Sequence, residues 1–329
     1  MIDQTGKAEP VSLSFSARVK GQIEENLPKA KHCRMAMLGA ILSSVGEFGM
    51  DPYKIEVFSE NSSLIHVTAE LLESVFNIKP VTALDAVILD DSTQAKSVLR
   101  DLGFLTGSRQ DKVLDPFMPD LMLKKPCCRR AYISGAFLAS GSINDPTKNY
   151  HIEFLQEEER GAIRLQQFLK DYGIESRILE RTRPSRKKGE KTVFVLYLKD
   201  GEQIVDVLAV MKANQALMEL ENVRIVKDVR NKVNRQVNCE TANLNRVVSS
   251  SVRQVNDIRY LASKGVLTRL SPELKQMAEV RLSHENMALK DLGVLMDPPV
   301  SKSGVYHRLK KLSEIAENLR LEGKVKEDG

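Results

Sequence analysis

The chain has 329 residues, 42% of them hydrophobic and 28% charged, with a formal net charge of +5. This length accommodates two or more domains and a sizeable core, and the balance is that of a soluble globular protein. Trp is absent and aromatic residues make up only 5%, which argues against an aromatic base-stacking platform, whereas mild basicity permits a nucleic-acid partner without requiring one.

The opening "MIDQTGKAEPVSLSFSARVK" has acids and no apolar centre, so it does not read as a signal peptide. No run approaches the roughly 18 apolar residues of a spanning helix, and the expected location is the cytoplasm, with no membrane partner. The cysteines are Cys33, Cys127, Cys128 and Cys239, without a C-x-x-C pair. Adjacent Cys127 and Cys128 are poor metal or disulfide geometry, and the expectation is free buried thiols in a reducing compartment. His32, His66, His151, His284 and His307 are scattered, and the signatures of zinc, dinucleotide, nucleoside-triphosphate and serine-hydrolase sites are missing. No cofactor, metal or small-molecule substrate is expected.

In chain order, "VSLSF" from residue 11 reads as a short strand, followed by a helix ending before Pro28. "CRMAMLGAILSS" is apolar all round and reads as a buried helix. "KIEVFS" reads as a strand, Ser62 to Phe76 as a helix, "DAVILDD" as a strand, and "STQAKSVLRDLGF" as a helix capped by Ser92 or Thr93. A Pro-containing connection, "DPFMPDLMLKKP", leads into a second round. "RRAYISGAFLAS" is a helix, and "SIN" and "YHIEFL" can pair across "DPTKN". "EEERGAIRLQQFLKDYG" is an amphipathic helix closed by Gly173, "ESRILER" and "TVFVLYLK" are strands joined by a long basic loop, and "DGEQIVDVLAVM" is a helix.

Each round is an α+β unit with a mixed sheet, so residues 31–212 read as a pseudo-two-fold domain with halves 31–117 and 127–212, after an extension over 1–30. Residues 213–265 are strongly helical with spaced basics, Arg224, Lys227, Arg230, Lys232, Arg235, Arg246 and Arg253. They give a helical linker over 213–238, then a C-terminal domain over 239–321 and a disordered charged tail over 322–329. Ser271-Pro272-Glu273 starts a helix that runs to about Leu282.

Two stretches carry the functional argument. "GAFLASGSIN" from Gly135 repeats "GAILSSVGEF" from Gly39, ninety-six positions earlier. The small residues Gly39-Ala40 and Gly135-Ala136 let two helices approach closely. "ISGAFLASGS" resembles the LAGLIDADG motif of homing endonucleases at Ile133, Gly135, Phe137, Ala139, Gly141 and Ser142; the first copy is a weaker match. In that family an acid before the last Gly holds the divalent cations that cut DNA. The corresponding positions here are Ser44 and Ser140, degenerate for catalysis, and Glu47 and Asp145 lie at unequal offsets past them. The loop residues Arg181, Arg183, Arg186, Lys187, Lys188 and Lys191 form the densest basic cluster, which is either a contact to the DNA backbone or a solvated hairpin. Arg129 and Arg130 read as ordinary exposed charges.

The second stretch is "MALKDLGVLM", a "DPP" turn and "VSKSGVYHRLKKLSEIAENLRLE", which have helix-turn-helix spacing although the turn is long. Val305, Leu309, Leu312, Ala316 and Leu319 form the apolar stripe of the last helix, and Leu289, Leu292 and Leu295 can meet it. The opposite face carries Ser301, Lys302, Ser303, Tyr306, His307, Arg308, Lys310 and Lys311, suited to base edges and phosphates of double-stranded DNA.

An acid-free LAGLIDADG-like domain followed by an all-α helix-turn-helix domain resembles the bacterial WhiA family over nearly the whole chain. The phrases "NCETANLNR", "DIRYL", "LSPELKQMAEVRL" and "LGVLMDPPVSKSGVYHRLKKL" carry that resemblance most specifically. It implies a non-enzymatic DNA-binding regulator of cell division and chromosome segregation, with sporulation roles in some relatives and transcription or division proteins as further partners. It places DNA reading on the helix from Ser301 to about Ser313, with Asn243 to Arg246 serving either packing or DNA contact. The alternatives are an active LAGLIDADG endonuclease or maturase and a protein scaffold of the division machinery.

Overall fold

The computed structural model describes residues 13–107, 113–185 and 189–325. The first helix, α1 (Phe15–Glu25), starts at Ser14, whose hydroxyl accepts from Ala17 N at 3.1 Å. The alternation in "VSLSF" suggests a strand, but Leu13 and Ser14 are not in one. Phe15, Val19 and Ile23 recur at helical spacing and are all buried, so that period prevails.

Two rounds of the same order follow. The first is α2 (Lys31–Val45), β1 (Gly46–Met50), β2 (Tyr53–Phe58), α3 (Ser62–Phe76), β3 (Val81–Thr82), β4 (Ala86–Leu89) and α4 (Ser92–Asp101). A small hairpin of β5 (Leu105–Thr106) and β6 (Val113–Leu114), then a 3-10 turn over Asp120–Leu123, connects the rounds. The second is α5 (Pro126–Ser140), β7 (Gly141–Ile143), β8 (Ile152–Gln156), α6 (Glu159–Lys170), β9 (Arg177–Ser185), β10 (Gly189–Leu198) and α7 (Gly201–Val210). The sheets have equivalent strand orders, β1-β2-β4-β3 and β7-β8-β10-β9. Every ladder is antiparallel, which corrects the expectation of mixed sheets: the helices cross over between hairpins and never join parallel neighbours. Strand β1 lies in "GEFGM", whose glycines hide its alternation. The cap of α4 is Asp91, whose Oδ1 accepts from Thr93 N and Gln94 N at 2.9 Å each, rather than Ser92 or Thr93.

Helices α2 and α5 each have 15 residues and each ends on a glycine that opens a strand, Gly46 and Gly141. Helix starts and ends therefore superpose at an offset of 95 residues, not the ninety-six of the Gly-Ala phrase. In this register Ala40 is the counterpart of Gly135. A Cβ on Gly135 would lie 2.4 Å from Met37 O and 3.1 Å from Ala40 Cβ, whereas one on Gly39 would meet Met118 Sδ at 2.1 Å. Close approach of the two helices thus rests on Gly135, and Gly39 accommodates the connecting segment.

The chain divides into two compact units, Met1–Lys227 and Asp228–Gly329. Helix α8 (Asn214–Ser263) spans the expected linker without interruption. Ala216 and Leu220 join the core of the first unit and Ile258 and Leu261 that of the second. The second unit adds α9 (Pro272–Ser283), α10 (Leu289–Val294) and α11 (Lys302–Val325). Because α11 continues through Val325, residues 322–325 are helical rather than a disordered tail.

Candidate nucleic-acid interface

In the second unit, α10 and α11 are joined by residues 295–301. Val300 N donates to Gly293 O at 2.9 Å, and a Cβ on Gly293 would lie 2.1 Å from Val300 O. Only glycine lets the turn fold back this tightly onto α10. Val305, Leu309, Leu312 and Ala316 are buried against Leu292 and Met296, with Leu289 and Leu319 packed alongside. Leu295 is 45% exposed, so the place expected for it is taken by Met296.

Opposite that stripe, Lys302, Ser303, Tyr306, His307, Lys310 and Lys311 are all exposed. Ser301 is also exposed, and its Oγ accepts from Gly304 N at 3.2 Å, so it caps α11. Arg308 departs from this face. Its side chain is 23% exposed and lies 3.8 Å from Glu273 of α9. Lys310 lies 3.6 Å from Glu314, one turn along. In the same unit, Arg281 of α9 is almost fully buried and donates through Nη1 to Met287 O at 2.7 Å; burial pushes its pKa down. Residues 241–246 lie on an exposed stretch of α8, so the packing role open to them within the second unit is not taken up.

In the first unit, Arg181, Arg183 and Lys191 of the basic cluster stand on strands. β9 and β10 pair from Arg177 opposite Tyr197 to Ser185 opposite Gly189. Arg181 and Arg183 lie on β9, both exposed, and Lys191 opposite Arg183 on β10 bonds Glu157 at 2.5 Å. Arg186, Lys187 and Lys188 lie outside the described residues. Arg129 and Arg130 are half-buried rather than exposed, Arg129 bonding Asp171 and lying 5.4 Å from the Phe168 ring.

At the C-terminal ends of α2 and α5 the nuclease positions are neutral. In the 95-residue register they are Val45 and Ser140, one residue on from the expected Ser44 in the first copy. Ser44 Oγ donates to Ala40 O at 2.9 Å and Ser140 Oγ to Ala136 O at 3.2 Å. Between them sits the amide of Gln156, only 3% exposed, with Nε2 at 3.4 Å from Ser44 Oγ and 3.2 Å from Ser140 Oγ. Glu47, Glu157, Glu158 and Lys191 line the cavity of about 500 Å³ beside it. Asp145 is instead a turn residue, accepting from Thr147 N at 2.8 Å and Thr147 Oγ1 at 2.6 Å, bonds that lower its pKa.

At the opposite ends of the same helices lie Cys33, Cys127 and Cys128; all four cysteines of the chain are free thiols, as expected, but not all are buried. Cys33 and Cys128 are buried, but Cys127 and Cys239 are exposed. Burial, and the neighbouring Cys127 and Cys128, push the Cys33 thiol up to about 12. Burial likewise raises Cys128.

Comparison with known proteins places both domains in a known family. The description "WhiA LAGLIDADG-like domain" fits residues 129–230 and "WhiA C-terminal HTH domain" fits residues 233–316. A "Probable cell division protein WhiA" of Clostridium novyi (strain NT) is 39% identical over 326 residues, covering 95% of this chain and 100% of that protein. The chain belongs to the WhiA family. A "Probable cell division protein WhiA" of Alkaliphilus oremlandii (strain OhILAs) is 36% identical over 95% of this chain and 100% of its own length. Among solved structures, full-length DUF199/WhiA from Thermatoga maritima aligns with a TM-score of 0.53 at 21% identity, covering 93% of this chain and 99% of that one. The WhiA architecture, a degenerate LAGLIDADG-like domain followed by a helix-turn-helix domain, is therefore the fold of this chain. Among the described residues, no helix is long and apolar enough to cross a membrane.

Proposed function

We propose that this WhiA protein is a non-enzymatic, sequence-reading DNA-binding regulator acting in cell division. The observation that carries this reading is the two-sided character of α11: Val305, Leu309 and Leu312 are buried while Lys302, Ser303, Tyr306, His307, Lys310 and Lys311 are exposed on its first three turns. A helix seated on apolar residues, with cations and hydrogen-bonding tips outward, suits the major groove. Ser301 supports this element as its cap, and Arg308 as a tie to α9.

In this reading residues 239–321 supply sequence recognition. Residues 31–212 supply a scaffold whose β9–β10 basic residues add phosphate contacts. Neutral Val45 and Ser140 speak against metal-assisted cleavage, which needs carboxylate oxygens for a hard cation. The name of the relatives, cell division protein, supports the division role, and regulation through transcription, chromosome segregation and a nucleoid location in the cytoplasm belong to the same proposal.

The test selects fragments of sheared genomic DNA on the full-length protein in magnesium buffer and sequences them. Recovery of a few sites that share one pattern, with uncut ends, supports the reading. Uniform recovery, or none, removes sequence reading, and magnesium-dependent nicking of plasmid removes the non-enzymatic assignment.

A further inference from the structure

The first turns of α2 and α5 carry matched pairs. In the 95-residue register His32 of α2 is the counterpart of Cys127 of α5, and Cys33 that of Cys128. The first and second members of each pair stand at the second and third positions of their helices. The ligand atoms of His32, Cys33, Cys127 and Cys128 all lie within 4.8 Å of one another. His32 Nδ1 is 3.2 Å from Cys128 Sγ and 3.3 Å from Cys33 Sγ.

We propose that His32, Cys33, Cys127 and Cys128 form a four-ligand site for one zinc ion. Three thiols and one imidazole are a soft, borderline donor set, which favours zinc over magnesium or calcium. Tetrahedral zinc, with Zn–S near about 2.3 Å, sets its ligands roughly 3.3–3.8 Å apart. The four groups need to close by only about an ångström to reach it. Two helix N-termini converge on the cluster, and although burial raises the Cys33 and Cys128 thiols in the metal-free protein, zinc displaces the thiol protons as it binds. A cavity of about 470 Å³, lined by Cys33, Cys127, Ala30, Met37, Ala131 and Met211, opens beside it and offers an entry path. With all four positions filled by protein groups, the site is closed, so the zinc pins the two axis helices together and has no room to activate water.

The experiment uses full-length protein purified without chelator, with metals counted by mass spectrometry and cobalt substitution read by absorption. One zinc per chain is expected, together with the intense cobalt bands of tetrahedral thiolate ligation. Cys33→Ser, Cys128→Ser and His32→Gln are each expected to lower zinc content at least tenfold, while Cys239→Ser keeps one per chain. Zinc removal by a chelator is expected to lower the melting temperature of the wild type and not that of Cys33→Ser. Should the serine variants fail to fold, the wild-type zinc count and cobalt spectrum decide alone. Substoichiometric zinc after loading, stoichiometric iron or copper in its place, or a disulfide among Cys33, Cys127 and Cys128 overturns the assignment.

Discussion

Gln156 donates to Ser140 Oγ across 3.2 Å at the end of α5, with Ser44 Oγ 3.4 Å from the same nitrogen. A single neutral amide thus links the C-terminal ends of α2 and α5, beside the positions where the nuclease motif puts its acids. Nε2 also donates to Leu155 O at 2.9 Å, and a Cβ on Gly161 would lie 2.7 Å from Gln156 Oε1.

Truncating that amide should therefore be felt. Gln156→Ala leaves buried polar groups without their partner, at about 1–3 kcal/mol, and opens a gap as well. The Ser44→Ala/Ser140→Ala pair should cost less, because each hydroxyl already donates to its own helix. Urea unfolding of both variants checks the order, and a larger loss in the serine pair would contradict it.

Gly135→Ala and Gly39→Ala should differ although both remove a helical glycine. Each gains about 1 kcal/mol of helix propensity. At Gly135 the new methyl meets the Met37 backbone, which cannot yield without parting α2 from α5, and overpacking costs about 1–3 kcal/mol. At Gly39 it meets the flexible end of Met118. A lower melting temperature for Gly135→Ala than for Gly39→Ala is the expected result.

On α11, Lys302→Ala and Lys311→Ala should each weaken DNA binding across sequences and flatten the log–log salt dependence by about 0.9. Arg308→Ala should shift thermal stability through its lost tie to Glu273 and alter the salt slope less, because its side chain is largely covered. Fluorescence anisotropy over a range of salt concentrations separates the two behaviours.

Arg281 offers a stability test. Its Nε has no hydrogen-bond partner among the described residues, so Arg281→Met removes a buried charge and keeps most of the volume. Its stability is expected to stay within about 1 kcal/mol of wild type, in line with apolar replacement of buried ions. Arg281→Ala opens a cavity and should lose about 2–4 kcal/mol. Thermal unfolding followed by circular dichroism distinguishes these outcomes.

The helices were legible wherever apolar spacing was long and regular, as in α3 and α11. The antiparallel character of the sheets was not, because hydrophobic alternation carries no strand direction. Gln156 was in principle readable: Ile152, Phe154 and Gln156 alternate onto one buried face. A polar residue that ends an apolar strand reads as an edge, so nothing in the sequence marks it as central. The His32–Cys128 cluster was hidden by sequence distance and because two adjacent cysteines read as poor metal geometry. The helix ends set the register of the repeat; the Gly-Ala phrase does not.

The crossing of Gly135 on Ala40 makes the two halves a lock and its key, not a pair of copies. Two first halves would set Ala40 against Ala40 and force the helices apart. At this crossing neither half is its own complement, so the two halves are not interchangeable.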